Sequence, residues 1–205
     1  GMARQVVNHD IDWRQMPAVI DFCLKTEISL VIIGPEDPLV EGLSDQLRER
    51  GILVVGPSKE SAQLEGSKVF AKEFMMAAGV PTANYVTVAS VSEVENHLSQ
   101  FTPPYVLKAD GLASGKGVFI CKNREELLSA AKDLFENKIL GNAGSRALLE
   151  QFSPGWELSY LVLTNGHSWQ TLPLAQDHKR LSDNDEGPNT GGMGTVAPLQ
   201  ISDTL

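Results

Sequence analysis

The chain has 205 residues, 42% of them hydrophobic and 21% charged, with a formal net charge of −9. This is an ordinary globular composition, long enough for a real core in one large or two small domains. The acidic balance argues against nucleic acid as a partner, which needs a basic face; no apolar run reaches the length of a membrane span and no signal-peptide core is present, so a membrane is not expected either and the expected compartment is the cytoplasm.

Met16–Lys25 is amphipathic with Pro17 suited to a first turn, and predicts a helix. Leu30-Val31-Ile32-Ile33 is a short apolar run stopped by Gly34-Pro35, which predicts a buried parallel strand; in open α/β sheets ligands collect at that end. Glu36 and Asp37 follow. They read equally as helix N-terminal acids or, for Glu36, as a substrate contact. Leu39 to Arg50 predicts one helix closed by Gly51, and Ile52–Val55 the next strand. Residues 1–62 are therefore expected to be part of a doubly wound parallel-sheet domain, lacking the strand and Gly-rich loop with which such domains open. Gly66 to Ala78 predicts a helix stopped by Gly79, with Val69, Phe70, Phe74 and Ala77 at helical spacing. Lys68 and Lys72 lie at i, i+4, the pattern of a solvated basic face. This helix belongs to a connection over 63–83.

Residues 84–153 read as strand (Tyr85–Val88), helix (Ser90–Leu98), strand, glycine loop, strand (Tyr105 to Cys121), helix (Asn123–Asn137, with Asn123 as cap and Glu126 at the capping-box position) and strand (from Ala147 into Glu150). The order β-α-β-β-α-β is that of a split βαβ module. The loop carries Gly111, Ser114, Gly115, Lys116 and Gly117, and Lys108 ends the strand before it. Backbone donors without a Cβ in the way, plus point charges, are what a polyphosphate needs. A Walker A loop is ruled out: Asp110 stands where its first glycine belongs, Gly117 where its Ser/Thr belongs, and a β-prone run follows instead of a helix. The remaining readings are a lid between antiparallel strands, closing on a nucleotide, and an ordinary Gly-rich hairpin. Cys23 and Cys121 sit far apart in apolar runs and read as buried free thiols.

From residue 154 the texture changes. Trp156–Leu163 and Trp169–Leu174 predict an antiparallel pair about Thr164-Asn165-Gly166. After Gln176-Asp177-His178-Lys179-Arg180, the stretch Ser182 to Gly194 reads as a long polar loop, and loops of that length are usually functional or disordered.

The run Lys108-Ala109-Asp110-Gly111-Leu112-Ala113-Ser114-Gly115-Lys116-Gly117-Val118 resembles the small-subdomain signature of ATP-grasp ligases. Gln63-Leu64-Glu65-Gly66-Ser67-Lys68, Gln176-Asp177-His178-Lys179-Arg180 and Gly187-Pro188-Asn189-Thr190-Gly191-Gly192-Met193-Gly194 together resemble the phosphoribosylamine–glycine ligases (glycinamide ribonucleotide synthetases) of purine synthesis, as does Gly34-Pro35-Glu36-Asp37-Pro38-Leu39. The resemblance implies an α/β fold: the partial N-terminal domain, then an ATP-grasp α+β module whose small subdomain spans 84–153 and whose large antiparallel subdomain starts at 154–205. It also implies an ATP-driven ligation, in which the glycine carboxylate takes the γ-phosphoryl group and the amine of 5-phosphoribosylamine displaces phosphate. On this resemblance Lys68 and Lys108 meet ATP phosphates and the 111–117 loop, with Ser114 and Lys116, folds over them. Glu150, Gln151, Phe152 and Ser153 form the hinge at the adenine, with Phe152 on the ring and Glu157 at the ribose hydroxyls. Arg180, Asn189, Lys179 and Asp177 are the candidate catalytic residues. Asp177, His178, Lys179, Pro188, Asn189 and Thr190 line the acceptor side, His178 being as readily a structural loop residue. Gln151 and Trp156 stand where the family usually has acids. The implied cofactors are ATP and Mg2+, with Mn2+ as a substitute; the metal ligands are expected outside this chain, which is expected to be inactive alone. Two alternatives are a non-catalytic nucleotide-binding module and another ATP-grasp enzyme such as a carboxylase acting on a biotin carrier. The 176–180 and 187–194 runs count against the latter.

Overall fold

Alternating burial along two short strands sets the first half of the molecule. In the computed structural model, which describes residues 6–113 and 115–200, contacts divide the chain into two units, Gly1–Val80 and Pro81–Leu205. In the first, α1 (Met16–Lys25) leads to β1 (Leu30–Ile32), which pairs in parallel with β2 (Leu53–Val55) in the register Leu30↔Leu53, Val31↔Val54, Ile32↔Val55. The segment between them is two helices, α2 (Glu36–Glu41) and α3 (Leu43–Glu49), rather than one. Gly42 separates them at φ +96°, a left-handed turn that ends a helix. Ile20, Cys23, Leu43, Leu47 and Ile52 form a core against which Val31, Ile33 and Val54 pack. Strand side chains alternate, so Leu30, Ile32 and Leu53 point the other way. They are 48%, 71% and 68% exposed. The expected parallel pair is present, but it is not buried on both faces.

The helix expected at 66–78 is present as α5 (Lys68–Ala77), preceded by a short helix not expected, α4 (Gln63–Gly66); Ser67 stands between them, and its hydroxyl accepts from the Phe70 N–H and caps α5. The inward residues of α5 are Val69 and Lys72; Phe70 and Phe74 are exposed. The spacing of the aromatics is helical as read, but the solvated basic face is not found, because Lys72 is on the buried side.

The second unit opens with the split βαβ module in the predicted order: β3 (Tyr85–Val88), α6 (Val91–His97), β4 (Tyr105–Ala109), β5 (Val118–Cys121), α7 (Arg124–Phe135) and β6 (Ala147–Gln151). These strands make one antiparallel sheet in the order β3-β6-β4-β5. Both helices are capped as their sequences require. Ser90 accepts from the Glu93 N–H, and Asn123 accepts from the Glu126 N–H while Glu126 takes the Lys122 N–H. Leu107, Ala109, Cys121, Ala147 and Leu149 of the sheet pack on Val94 of α6 and on Leu127, Ala131 and Leu134 of α7. Cys23 and Cys121 are buried free thiols, as expected. Burial raises both, and the Glu126 charge adds to it at Cys121, which is pushed up to about 11.

Beyond the module, β7 (Val162–Thr164) and β8 (Trp169–Thr171) make a short antiparallel hairpin. The stretch expected to be a long polar loop is mostly strand. β9 (Gln176–Ser182) pairs antiparallel with β10 (Glu186–Val196), with irregular register between Glu186 and Gly194. Main-chain pairing carries this hairpin, so its glycines and polar side chains gave no alternating signal. No helix among the described residues is long and apolar enough to cross a membrane.

Candidate functional site

The β3–β6 sheet has one face under α6 and α7. Its other face is set by the same alternation: Val106 and Lys108 on β4, Leu148 and Glu150 on β6, Val118 and Ile120 on β5. Val106 and Leu148 are buried, giving an apolar floor. Lys108 faces Leu148 in the register, so Glu150 is its diagonal neighbour on the same face. Lys108 Nζ lies 2.5 Å from Glu150 Oε2, with the lysine side chain 33% and the glutamate side chain 5% exposed. An ammonium has three donors. The Glu150 carboxylate pairs with that charge and holds it at the floor's edge, directly before the glycine loop.

That loop closes β4 onto β5: the Ala109 N–H donates to the Gly117 carbonyl at 2.8 Å and the Lys116 N–H to the Ala113 carbonyl at 2.9 Å. A glycine loop between two antiparallel strands is therefore the geometry present, and it is common to the lid and to a plain hairpin. Two of its glycines are needed by the protein's own packing. A Cβ on Gly111 would stand 2.9 Å from Ala143 Cα. Gly115 has φ +77°, and a Cβ there would stand 2.6 Å from the Thr190 carbonyl oxygen. The glycine loop is thus seated against β10. Ser114 lies outside the described residues.

The β9–β10 hairpin supplies the polar residues. Successive residues of β9 alternate, placing Asp177 and Lys179 on one side and His178 and Arg180 on the other. Lys179 Nζ is 3.0 Å from Glu157 Oε2 and 4.0 Å from Asp177 Oδ2. The Thr190 hydroxyl donates to the Lys179 carbonyl, and Arg180 Nη1 donates to the Gly187 carbonyl at 2.7 Å. Asn189 is the register partner of Arg180. Lys116, Arg180 and Asn189, far apart in sequence, line one open cleft of about 580 Å³ together with Val118, Ile120 and Glu126. Lys108 and Glu150 stand apart from that cleft's lining, on the floor, while Gln151 is the last residue of β6 and Phe152 and Ser153 follow it. Lys68 and Glu36 belong to the first unit, at the starts of α5 and α2. Among the described residues no group of three or more His, Cys, Asp or Glu is placed to hold a metal ion, so these side chains supply no metal cage.

Residues 1–65 match the Phosphoribosylglycinamide synthetase N domain, and residues 66–204 match the Phosphoribosylglycinamide synthetase ATP-grasp (A) domain. The chain belongs to the phosphoribosylglycinamide synthetase family. It is 44% identical over 209 residues to a phosphoribosylamine–glycine ligase of Rhodopirellula baltica, covering 99% of this chain and 48% of that protein. The solved phosphoribosylamine–glycine ligase of Thermotoga maritima superposes with a TM-score of 0.79 at 36% identity, over 98% of this chain and 48% of that one. The biotin carboxylase domain of a Hydrogenobacter thermophilus 2-oxoglutarate carboxylase, solved with MgADP and bicarbonate, gives a TM-score of 0.66 at 24% identity, over 80% of this chain and 38% of that one. At that identity it shows a shared fold. The chain spans about half the length of the phosphoribosylglycinamide synthetases it matches.

Two features of this family member were not read from its sequence. The Lys108–Glu150 pair is visible only once the strands are in register. The Asp110–Arg146 ion pair, with Arg146 Nη2 2.6 Å and Nε 3.1 Å from Asp110 Oδ2, joins residues 36 apart. An aspartate closing a strand and an arginine opening another gave the only available signal.

Proposed function

We propose that the full-length protein joins glycine to 5-phosphoribosylamine, giving glycinamide ribonucleotide, ADP and phosphate. ATP is the phosphoryl donor, carried with Mg2+ or with Mn2+ in its place. The observation that supports this most is the Lys108–Glu150 pair on an apolar sheet face at the root of a glycine loop seated on the β9–β10 hairpin. An apolar floor suits a purine ring, and a fixed ammonium beside it suits the phosphates attached to that ring.

In this reading the glycine carboxylate oxygen attacks the γ-phosphorus and ADP leaves. The amine nitrogen of 5-phosphoribosylamine then forms the amide bond at the glycyl carbon, and phosphate leaves with the oxygen that attacked. The protein's task is positioning and charge neutralisation. Lys68 and Lys108 offset phosphate charge, and residues 111–117, including Ser114, cover the phosphates. Glu150, Gln151, Phe152 and Ser153 hold the adenine end, and Glu157 the ribose. Arg180 and Asn189, which share a cleft with Lys116, take the reacting phosphoryl and acceptor groups. Asp177, His178, Lys179, Pro188 and Thr190 shape the acceptor side, and Glu36 is a further candidate substrate contact. The corresponding domain limits are 1–62, 63–83, 84–153 and 154–205. The reaction belongs to the full-length protein rather than to these 205 residues alone.

The test is ADP release by the full-length protein across a substrate panel. The reading requires release that depends on both glycine and 5-phosphoribosylamine. Release that depends instead on bicarbonate, or on neither, would overturn it.

A further inference from the structure

The glycine loop needs a fixed root. Its first residue, Asp110, is 8% exposed, and the carboxylate receives two N–H groups of Arg146 on Oδ2, at 3.1 and 2.6 Å. The backbone repeats the link. The Asp110 N–H donates to the Arg146 carbonyl at 2.9 Å, and the next residue, Gly111, donates to the Ala143 carbonyl at 3.1 Å. Arg146 immediately precedes β6, the strand that carries Glu150 four residues later. The ion pair therefore ties the start of the loop to the start of the strand that holds Lys108 in place.

Its energetics suit a positioning device. Asp110 is buried and would be costly to leave uncompensated, whereas the Arg146 side chain is 52% exposed and fills no core space. Charge-assisted N–H···O bonds at these distances fix orientation as well as adding energy.

We infer that Arg146 is a positioning residue for the phosphate-covering loop, acting through Asp110. This rests on the proposed ATP site. Arg146 touches no substrate; it sets where residues 111–117 start and so how well they close on a triphosphate.

The experiment uses the full-length protein and its R146A, R146K and D110N variants. Amide hydrogen exchange without any ligand comes first. R146A should raise exchange at residues 110–117 by about tenfold and leave α7 and β3 unchanged. With substrates, R146A should raise the KM for ATP by about tenfold and change the KM for glycine by less than twofold. R146K should recover part of the ATP effect, since it restores charge without the planar fork. R146A combined with D110N should be no worse than the more impaired single variant, because both remove one link. Unchanged exchange at 110–117, additive losses, or a loss spread equally over both KM values would overturn the inference. If loop exchange rises as expected while the unmodified protein shows no ATP-dependent turnover with glycine and 5-phosphoribosylamine, the proposed function fails and the anchoring stands.

Discussion

Lys108 and Glu150 carry the residue-scale argument, because each is intelligible only through the other. A lysine on an apolar floor would be poorly held, and a glutamate 5% exposed would be expensive alone. Lys108→Met should cost about 3 kcal/mol of stability, since it removes the ammonium that a buried carboxylate pairs with. It should also lower kcat/KM for ATP in the full-length protein by about 100-fold, the scale of one lost electrostatic contact to a developing charge. The double variant K108M/E150Q should regain most of the stability, read by urea denaturation, and none of the activity. Recovery of both together would show that Lys108 is only structural. Cys121 gives a second residue-level test. Its thiol is held near pKa 11 in the fold, against about 9.0 for an ordinary one. The folded-state value is raised, so the stabilisation is complete below pH 9 and is lost as pH rises through 11. The melting temperature should fall across that window, and C121A should flatten the fall relative to the unsubstituted protein.

Elements were legible where local chemistry decides them. Asn123, Glu126 and the apolar spacing behind them specify α7 before any tertiary contact exists, and Ser90 does the same for α6. Asn123→Ala should therefore cost about 1 kcal/mol in chemical denaturation, with no change in the slope that reports exposed surface. A loss below a few tenths would mean that packing alone sets this helix. The order of elements along the split module was likewise readable from its alternation of patterns, though not the order of the strands in the sheet. Three things were not. The break at Gly42 needs a backbone angle that the sequence permits but does not demand. The inward face of α5 holds Val69 and Lys72 instead of the aromatics, so periodicity gave the helix but not its orientation. The β9–β10 hairpin was hidden because its hydrogen bonds are main-chain and its side chains, rich in glycine and polar groups, carry no period of two. The glycines show a related limit. Closeness to a ligand explained them on paper, whereas Gly111 and Gly115 are already required by Ala143 and Thr190.

At the scale of the whole molecule, candidate residues from four stretches of sequence fall into two settings within the second unit: the sheet face with Lys108 and Glu150, and the cleft with Lys116, Arg180 and Asn189. Gly115 against Thr190 places the loop that follows Lys108 beside the strand that carries Asn189. That adjacency is what a ligase needs if phosphoryl donor and acceptor are to react in one place. The proposed chemistry makes one atom-level commitment: an oxygen of glycine must leave as part of phosphate. The direct measurement is to supply the full-length protein with ATP, 5-phosphoribosylamine and glycine labelled with 18O in its carboxylate, and to weigh the released phosphate. The account predicts one 18O per phosphate; unlabelled phosphate accompanying glycinamide ribonucleotide would contradict it.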